Sequence, residues 1–299
     1  MAESLQLFSY SMQAMGSRCE FKFYAPTDQG QFFYQQAYHR LRSLETKYSR
    51  YHQDSITSKI NATAGTSSRL SLDHETQGLL HYAQVLYEQS DGLFDITSGV
   101  LRQAWDFRSN RLPDDMEISQ LLPKIGWSKI DWSGAEIRLP EKGMEIDFGG
   151  FVKEFAADQI AEVLVRAGIR HGLINLGGDI VIIGPHPSGE PWIVGIQHPR
   201  QVGAIRKLAV HQGAIATSGD YERFMIIDGV RYSHLLNPQT GKSIQADYAS
   251  VSVLAAQCLI AGSFSTIAML KSEIESDWIQ NKGVSYLTVD QQLTVNESR

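Results

Sequence analysis

The sequence predicts an α+β fold, a mostly antiparallel sheet with packed helices. Three observations carry this. Three stretches show helical spacing of apolar residues. Strand-like runs crowd together after residue 171 and do not alternate strictly with helices, which argues against a doubly wound parallel sheet. An Asp228-Gly229 pair between two such runs is a hairpin signal.

Taken in order, residues 18–24 (RCEFKFY) alternate and predict a strand. Residues 31–48 place Phe33, Ala37, Leu41 and Leu44 on one helical face. Residues 74–89 predict a second helix, with Asp73 as N-cap, a buried face of Leu79, Leu80, Ala83, Leu86 and Tyr87, and the Asp91-Gly92 pair as its stop. Residues 151–167 predict a third, with Phe155, Ala156, Ile160, Val163 and Leu164 inward and Gly168 as C-terminal cap. Strands are predicted at 172–183, 192–197, 207–211, 223–227, 230–236 and 249–255, and a closing helix at 259–271.

With 299 residues the chain is long enough for one large core or two small ones, and no repeat, low-complexity tract or linker divides it, so one domain over 1–299 is expected. A net charge of −6 without a basic stripe excludes generic nucleic-acid binding. No apolar run is long enough to span a bilayer, and the first residues show neither a basic-then-apolar leader nor a lipoprotein-type cysteine, so a cytoplasmic location is expected. Cys19 and Cys258 lie in no CxxC or metal-ligand pattern and read as buried thiols.

Five segments look chosen for more than packing. Asp147-Phe-Gly-Gly-Phe-Val-Lys153 runs into the third helix; paired glycines there either make a tight turn or let backbone N–H groups approach an anion, with Lys153 as a point charge. Asn175-Leu-Gly-Gly-Asp179 puts two glycines inside a strand-like run, which reads as a bulge or a close approach to a ligand. Ala216-Thr-Ser-Gly-Asp-Tyr-Glu-Arg223 reads as a polar turn, plain or phosphate-holding. In Tyr232-Ser-His-Leu-Leu-Asn-Pro-Gln-Thr-Gly241, His234 sits in an apolar strand and needs a partner or a task. Asp91-Gly-Leu-Phe-Asp-Ile-Thr-Ser-Gly99 holds two carboxylates, for capping or for a metal. No Walker loop, GxGxxG or GxSxG is present, which leaves Rossmann-type binding and α/β-hydrolase chemistry without support.

In this order, the segments resemble the ApbE-type FAD:protein FMN transferase family, formerly described as thiamine-biosynthesis lipoproteins. The resemblance runs from about Met15 to about Leu270. It includes Ala14-Met-Gly-Ser17, Tyr48-Ser-Arg-Tyr51 with Asp54, Ser55 and Asn61, Ser90-Asp-Gly-Leu-Phe-Asp95, Asp147 to Lys153 with Ala157-Asp158, Asn175 to Asp179, Thr217-Ser218-Gly219, and Ser233-His234 with Pro238 and Gly241. The resemblance implies a T-fold-like architecture, FAD as substrate, Mg²⁺, and transfer of FMN to a Thr or Ser hydroxyl of an acceptor flavoprotein with release of AMP. It implies His234 as the base that deprotonates the acceptor hydroxyl, a task suited to a group titrating near neutrality.

The same resemblance implies FAD contacts from Met15, Tyr51, Asn61, Phe94, Asp95, Lys153, Asp158, Gly177, Gly178, Asp179, Thr217, Ser218 and Gly219. Met15, Tyr51 and Phe94 are equally well read as core packing. It implies metal contacts from the backbone at Val152 and from Thr266. The chain departs from the family pattern where the late "A-D-A-x-x-T" segment reads Ala261-Gly-Ser-Phe-Ser-Thr266, putting Gly262 in the aspartate's place, and where Glu154 replaces a common glycine. Mg²⁺ prefers a carboxylate among its oxygens, so a weakened metal site is expected. Two alternatives therefore stand beside FMN transfer: an FAD-binding protein without catalysis, and an FAD pyrophosphatase.

Overall fold

The structure, a computed structural model, describes residues 5–298, so the first four residues of the segment read above for a leader lie outside it. β1 (Leu5–Ala14) and β2 (Ser17–Pro26) form a hairpin in which Ala14 pairs with Ser17, leaving Met15 and Gly16 as the turn. Both turn residues are left-handed, with φ of 49° and 74°, the twist a two-residue hairpin needs. Only β2 is predicted from sequence. In β1 the exposed Leu5 and Leu7 lie on the outer face, opposite Phe8, Tyr10 and Met12, and blur the two-residue period.

α1 (Gly30–Tyr48) buries Phe33, Ala37, Leu41 and Leu44, as their spacing predicts. Truncating a fully buried leucine such as Leu41 to alanine typically costs about 2–5 kcal/mol, so this stripe is a main anchor of the helix. α2 (Ile56–Asn61) is a short helix capped by Ser55, and β3 (Leu70–Ser71) leads to α3 (His74–Gln89). Asp73 caps α3 by accepting from Thr76 N at 3.1 Å; Tyr87 is only half-buried, whereas Leu79, Leu80, Ala83 and Leu86 are buried. α4 (Asp115–Leu121) starts with a capping box between Asp114 and Glu117. β4 (Asp131–Trp132) and β5 (Glu136–Arg138) complete a small sheet with β3. α5 (Val152–Ala167) ends at Gly168, which is left-handed at φ 115°, as predicted.

The predicted strand 172–183 is two strands, β6 (Gly172–Leu176) and β7 (Asp179–Gly184), paired from Leu176 to Asp179. Gly177 and Gly178 are thus a hairpin turn rather than a bulge, with φ of 66° and 103°. β8 (Trp192–Gln197) and β9 (Ala204–Val210) form a separate ribbon. β10 (Gly213–Gly219) occupies part of the segment read as a polar turn. β11 (Phe224–Ile227) and β12 (Val230–Ser233) make the hairpin that Asp228-Gly229 signals. β13 (Tyr248–Ala255), α6 (Cys258–Lys271), β14 (Ser285–Asp290) and β15 (Val295–Glu297) close the chain.

The main sheet has eight strands in the order β1-β2-β6-β7-β10-β13-β14-β15, each neighbour antiparallel, which bears out the α+β prediction. Alternate residues face opposite sides. Ile174, Leu176, Val181, Ala214, Ala216, Val251 and Val253 join the core with α1, α5 and α6. Leu173, Ile180, Ile182, Ile215, Leu287 and Val289 instead meet Trp192, Val194 and Ile196 of the β8–β9 ribbon. A third cluster, Val100, Leu101, Trp105, Leu121, Ile125 and Met225, seats the β11–β12 hairpin, and Trp105 Nε1 donates to Gly241 O at 2.8 Å. No helix among the described residues is long and apolar enough to cross a membrane.

Candidate functional site

Two hairpin tips, the start of α5, one face of α6 and the segment after β12 converge on Lys153. Its Nζ lies 2.6 Å from Asp179 Oδ2, at the base of the Gly177–Gly178 turn. A Cβ on Gly177 would sit 2.6 Å from the Ser17 side chain and 3.6 Å from Lys153 Nζ, so only glycine permits this approach of the two hairpins. Glu154, the next residue, is 8% exposed and Asp179 is 4% exposed. Among the described residues, Glu154 Oε2 has no hydrogen-bond partner. Burial, then the neighbouring Asp179 charge, pushes the Glu154 carboxyl well above its ordinary range. Burial pulls the Lys153 ammonium down, but the charges of Asp179 and Glu154 outweigh it and keep the group protonated. Were both carboxylates ionised, the trio would carry one more negative than positive charge, so without a further cation the Glu154 carboxyl keeps its proton.

His234 follows β12 and is held by its backbone N–H, which donates to Arg223 O at 2.9 Å. Its Nδ1 is buried without a partner among the described residues. Burial, then the Arg223 cation, pushes its pKa down to about 4 from 6.5, with Lys153 adding a smaller push in the same direction. The side chain is therefore neutral at pH 7, as a base must be, but it does not titrate near neutrality as expected from sequence. The sign follows from linkage: between pH 6.5 and 4 the unfolded chain binds more protons at this residue. Relative to His234→Asn, the wild-type chain is expected to lose stability as pH falls through that window and to show no such difference above it; urea unfolding at pH 4.5, 5.5 and 7 measures this.

The structure divides the other residues named from sequence. Ser218 and Thr266 belong with this cluster of elements: Ser218 Oγ lies 2.8 Å from Thr266 Oγ1 and 2.9 Å from Ser265 Oγ, and the three hydroxyls join β10 to α6. Thr217 points to the opposite face of β10, its Oγ1 2.7 Å from Ser252 Oγ. Thr217, Ser218 and Gly219 therefore end a central strand and do not form the polar turn read from sequence. Met15 lies on the β1–β2 turn, where its N–H donates to Glu45, and the adjacent Gly16 comes within 4.0 Å of Arg223 for an added Cβ.

Asp158 is engaged at the start of a helix. Its Oδ1 accepts from Cys258 N at 2.8 Å and its Oδ2 from Leu259 N at 2.9 Å, so both oxygens cap α6, whose own N-cap residue Gln257 makes no side-chain cap. Asp158→Ala is expected to cost about 1–2 kcal/mol by urea unfolding, the usual scale for a lost cap, with ligand affinity unchanged. Asn61 and Asp95 are also taken up structurally. Asn61 clamps residue 146, accepting from Ile146 N at 2.7 Å and donating to Ile146 O at 3.1 Å. Buried Asp95 accepts from Thr97 N at 2.8 Å and Trp127 N at 3.0 Å.

Phe94 and Tyr51 lie at the other end of the Asp147–Lys153 segment. Asp147 pairs with Arg50, whose guanidinium lies over the Tyr51 ring at 5.0 Å, and Tyr51 is 81% exposed, which excludes it from the core. Gly149 and Gly150 form an exposed shelf backed by Phe94, 3.1 Å from a Cβ placed on Gly150. Phe94 itself is buried against Phe151. Sequence reasoning missed Arg50, Arg223 and Ser17 as neighbours of the site. Arg50 and Arg223 each stand in a quoted segment, and a cation beside a turn is the signal that marks them. Val152 begins α5 between the two halves, and its side chain is buried.

A profile of the ApbE family matches residues 15–288. Among curated relatives, FAD:protein FMN transferase of Rhodobacter capsulatus is 30% identical over 73% of this chain, a match spanning only 42% of that protein. The proteins of the same name from Vibrio cholerae and Treponema pallidum are 29% and 27% identical over 78% and 88% of this chain and 71% and 81% of their own lengths. The crystal structure of the ApbE protein of Thermotoga maritima superposes with a TM-score of 0.89 at 26% identity, covering 98% of this chain and 97% of that one. The flavin transferase ApbE of Vibrio cholerae reaches 0.88 at 24% identity over 99% and 97%, a likeness of fold. With a profile match over most of its length and the architecture in agreement, the chain belongs to the ApbE family.

Proposed function

We propose that this protein transfers FMN from FAD to a Thr or Ser hydroxyl of an acceptor flavoprotein, releasing AMP. The observation that carries the reading is a neutral, half-buried His234 whose Nδ1 has no partner among the described residues, set among Lys153, Arg223 and the two hairpin tips. Such a histidine takes the acceptor's proton on its imidazole as the hydroxyl oxygen attacks the FMN phosphorus. The pyrophosphate bond to AMP breaks in line with that attack. The cations Lys153 and Arg223 suit the charge on the phosphates. The exposed shelf at Gly149 and Gly150, beside Phe94, Arg50 and Tyr51, suits an aromatic ring system of FAD.

Mg²⁺ belongs to this reading. The residues fit it: a carboxyl oxygen of Glu154 lies buried without a donor beside the Lys153–Asp179 pair, and Val152 and Thr266, on the same two helices, have neutral oxygens to offer. Bound there, it would neutralise charge on the pyrophosphate. The test is incubation with FAD, Mg²⁺ and a candidate acceptor, followed by in-gel flavin fluorescence. The expected result is a fluorescent acceptor band that withstands denaturation and disappears when the acceptor's Thr is changed to Val. An acceptor that stays dark while FAD binds normally contradicts the reading.

A further inference from the structure

Gly262 and Glu154 touch across the α5–α6 packing. A Cβ built on Gly262 would lie 2.5 Å from Glu154 Cγ and 3.0 Å from its Cδ and Oε1. The space beside residue 262 that a side chain would take is thus filled by the carboxyl-bearing arm of residue 154. Thr266 is one turn further along the same face of α6. Val152 is two residues before Glu154, at the first turn of α5. The Glu154 carboxyl is more than nine-tenths buried, its Oε2 has no partner among the described residues, and the adjoining Lys153 is already paired with Asp179. A buried carboxyl in that condition holds a proton until a cation arrives to take its place.

We propose that Glu154 supplies the carboxylate of a divalent-cation site completed by Thr266 and the Val152 carbonyl. Gly262 is then the glycine that makes room for it. The two departures in the sequence are one exchange, a carboxylate moved from α6 to α5. Mg²⁺ is held by one or two carboxylates and keeps several waters, so such a site needs no cluster of three His, Cys, Asp or Glu side chains, and none gathers among the described residues. The proposal rests on the flavin-transfer reading for the cation's use, while its binding is measured independently.

The test is Mn²⁺ titration of the full chain followed by electron paramagnetic resonance, with and without FAD, and with Mg²⁺ as competitor. Wild-type protein is expected to bind one Mn²⁺ that Mg²⁺ displaces. Glu154→Gln, nearly the same shape, is expected to weaken binding by at least about tenfold, a loss that even ligand-orienting groups cause in metal sites. Glu154→Gly combined with Gly262→Asp is expected to restore it, whereas Gly262→Asp alone crowds Glu154 and does not strengthen it. Unchanged Mn²⁺ affinity in Glu154→Gln, or a wild-type chain that binds FAD but no Mn²⁺, overturns the proposal. A chain that binds Mn²⁺ through Glu154 yet transfers no FMN leaves the proposal standing and removes the functional reading instead.

Discussion

Replacing His234 with asparagine is expected to slow FMN transfer by roughly 10²- to 10⁴-fold, the range for loss of a general base, while FAD affinity changes little. The imidazole's Nδ1 has no partner among the described residues, so the variant breaks no hydrogen bond made at that atom. The backbone bond to Arg223 O survives the change, and the β11–β12 hairpin stays seated on Trp105, Met225 and their neighbours. What disappears is an acceptor for the substrate's proton. Single-turnover flavinylation measures the rate, and quenching of flavin fluorescence measures binding. Transfer that persists within threefold of wild type would mean that another group takes the proton.

Lys153→Met is the second large effect, and it falls on stability as well as on function. Lys153 is the cation paired with Asp179, which is buried on the β7 side of the turn. Removing one partner of a buried pair leaves the other charge uncompensated, which typically costs about 3–5 kcal/mol. The hydrophobic contacts of α5 through Ala156, Ile160 and Leu164 are untouched, so the loss is electrostatic. Urea unfolding at pH 7 is expected to show it, and Lys153→Arg is expected to recover most of it. A methionine variant as stable as wild type would show that Asp179 finds another counter-charge.

Much of this was legible in sequence because it depends on local chemistry. The helices α1, α3 and α5 follow from the spacing of their buried residues, with Asp73 and Gly168 capping as their residue types dictate. The Asp228-Gly229 hairpin follows from the turn it must make. What was not legible depends on partners far away in the chain. Thr217 and Ser218 look like turn residues until Ser252, Ser265 and Thr266 satisfy their hydroxyls and let β10 run between its neighbours. Asp158 looks like a ligand group until the amides of residues 258 and 259 arrive from α6. Gly262 looks like a lost carboxylate until Glu154 is seen lying on it.

The central claim is that FAD is cleaved only as its FMN half moves to a protein hydroxyl. The most direct measurement is AMP released from FAD with Mg²⁺, with and without an acceptor flavoprotein, counted against flavin bound covalently to that acceptor. The account predicts AMP only when acceptor is present, one for each flavin attached. AMP released equally without acceptor would make the protein a pyrophosphatase, and FAD bound with no AMP under any condition would make it a flavin-binding protein without catalysis; either result would contradict the account.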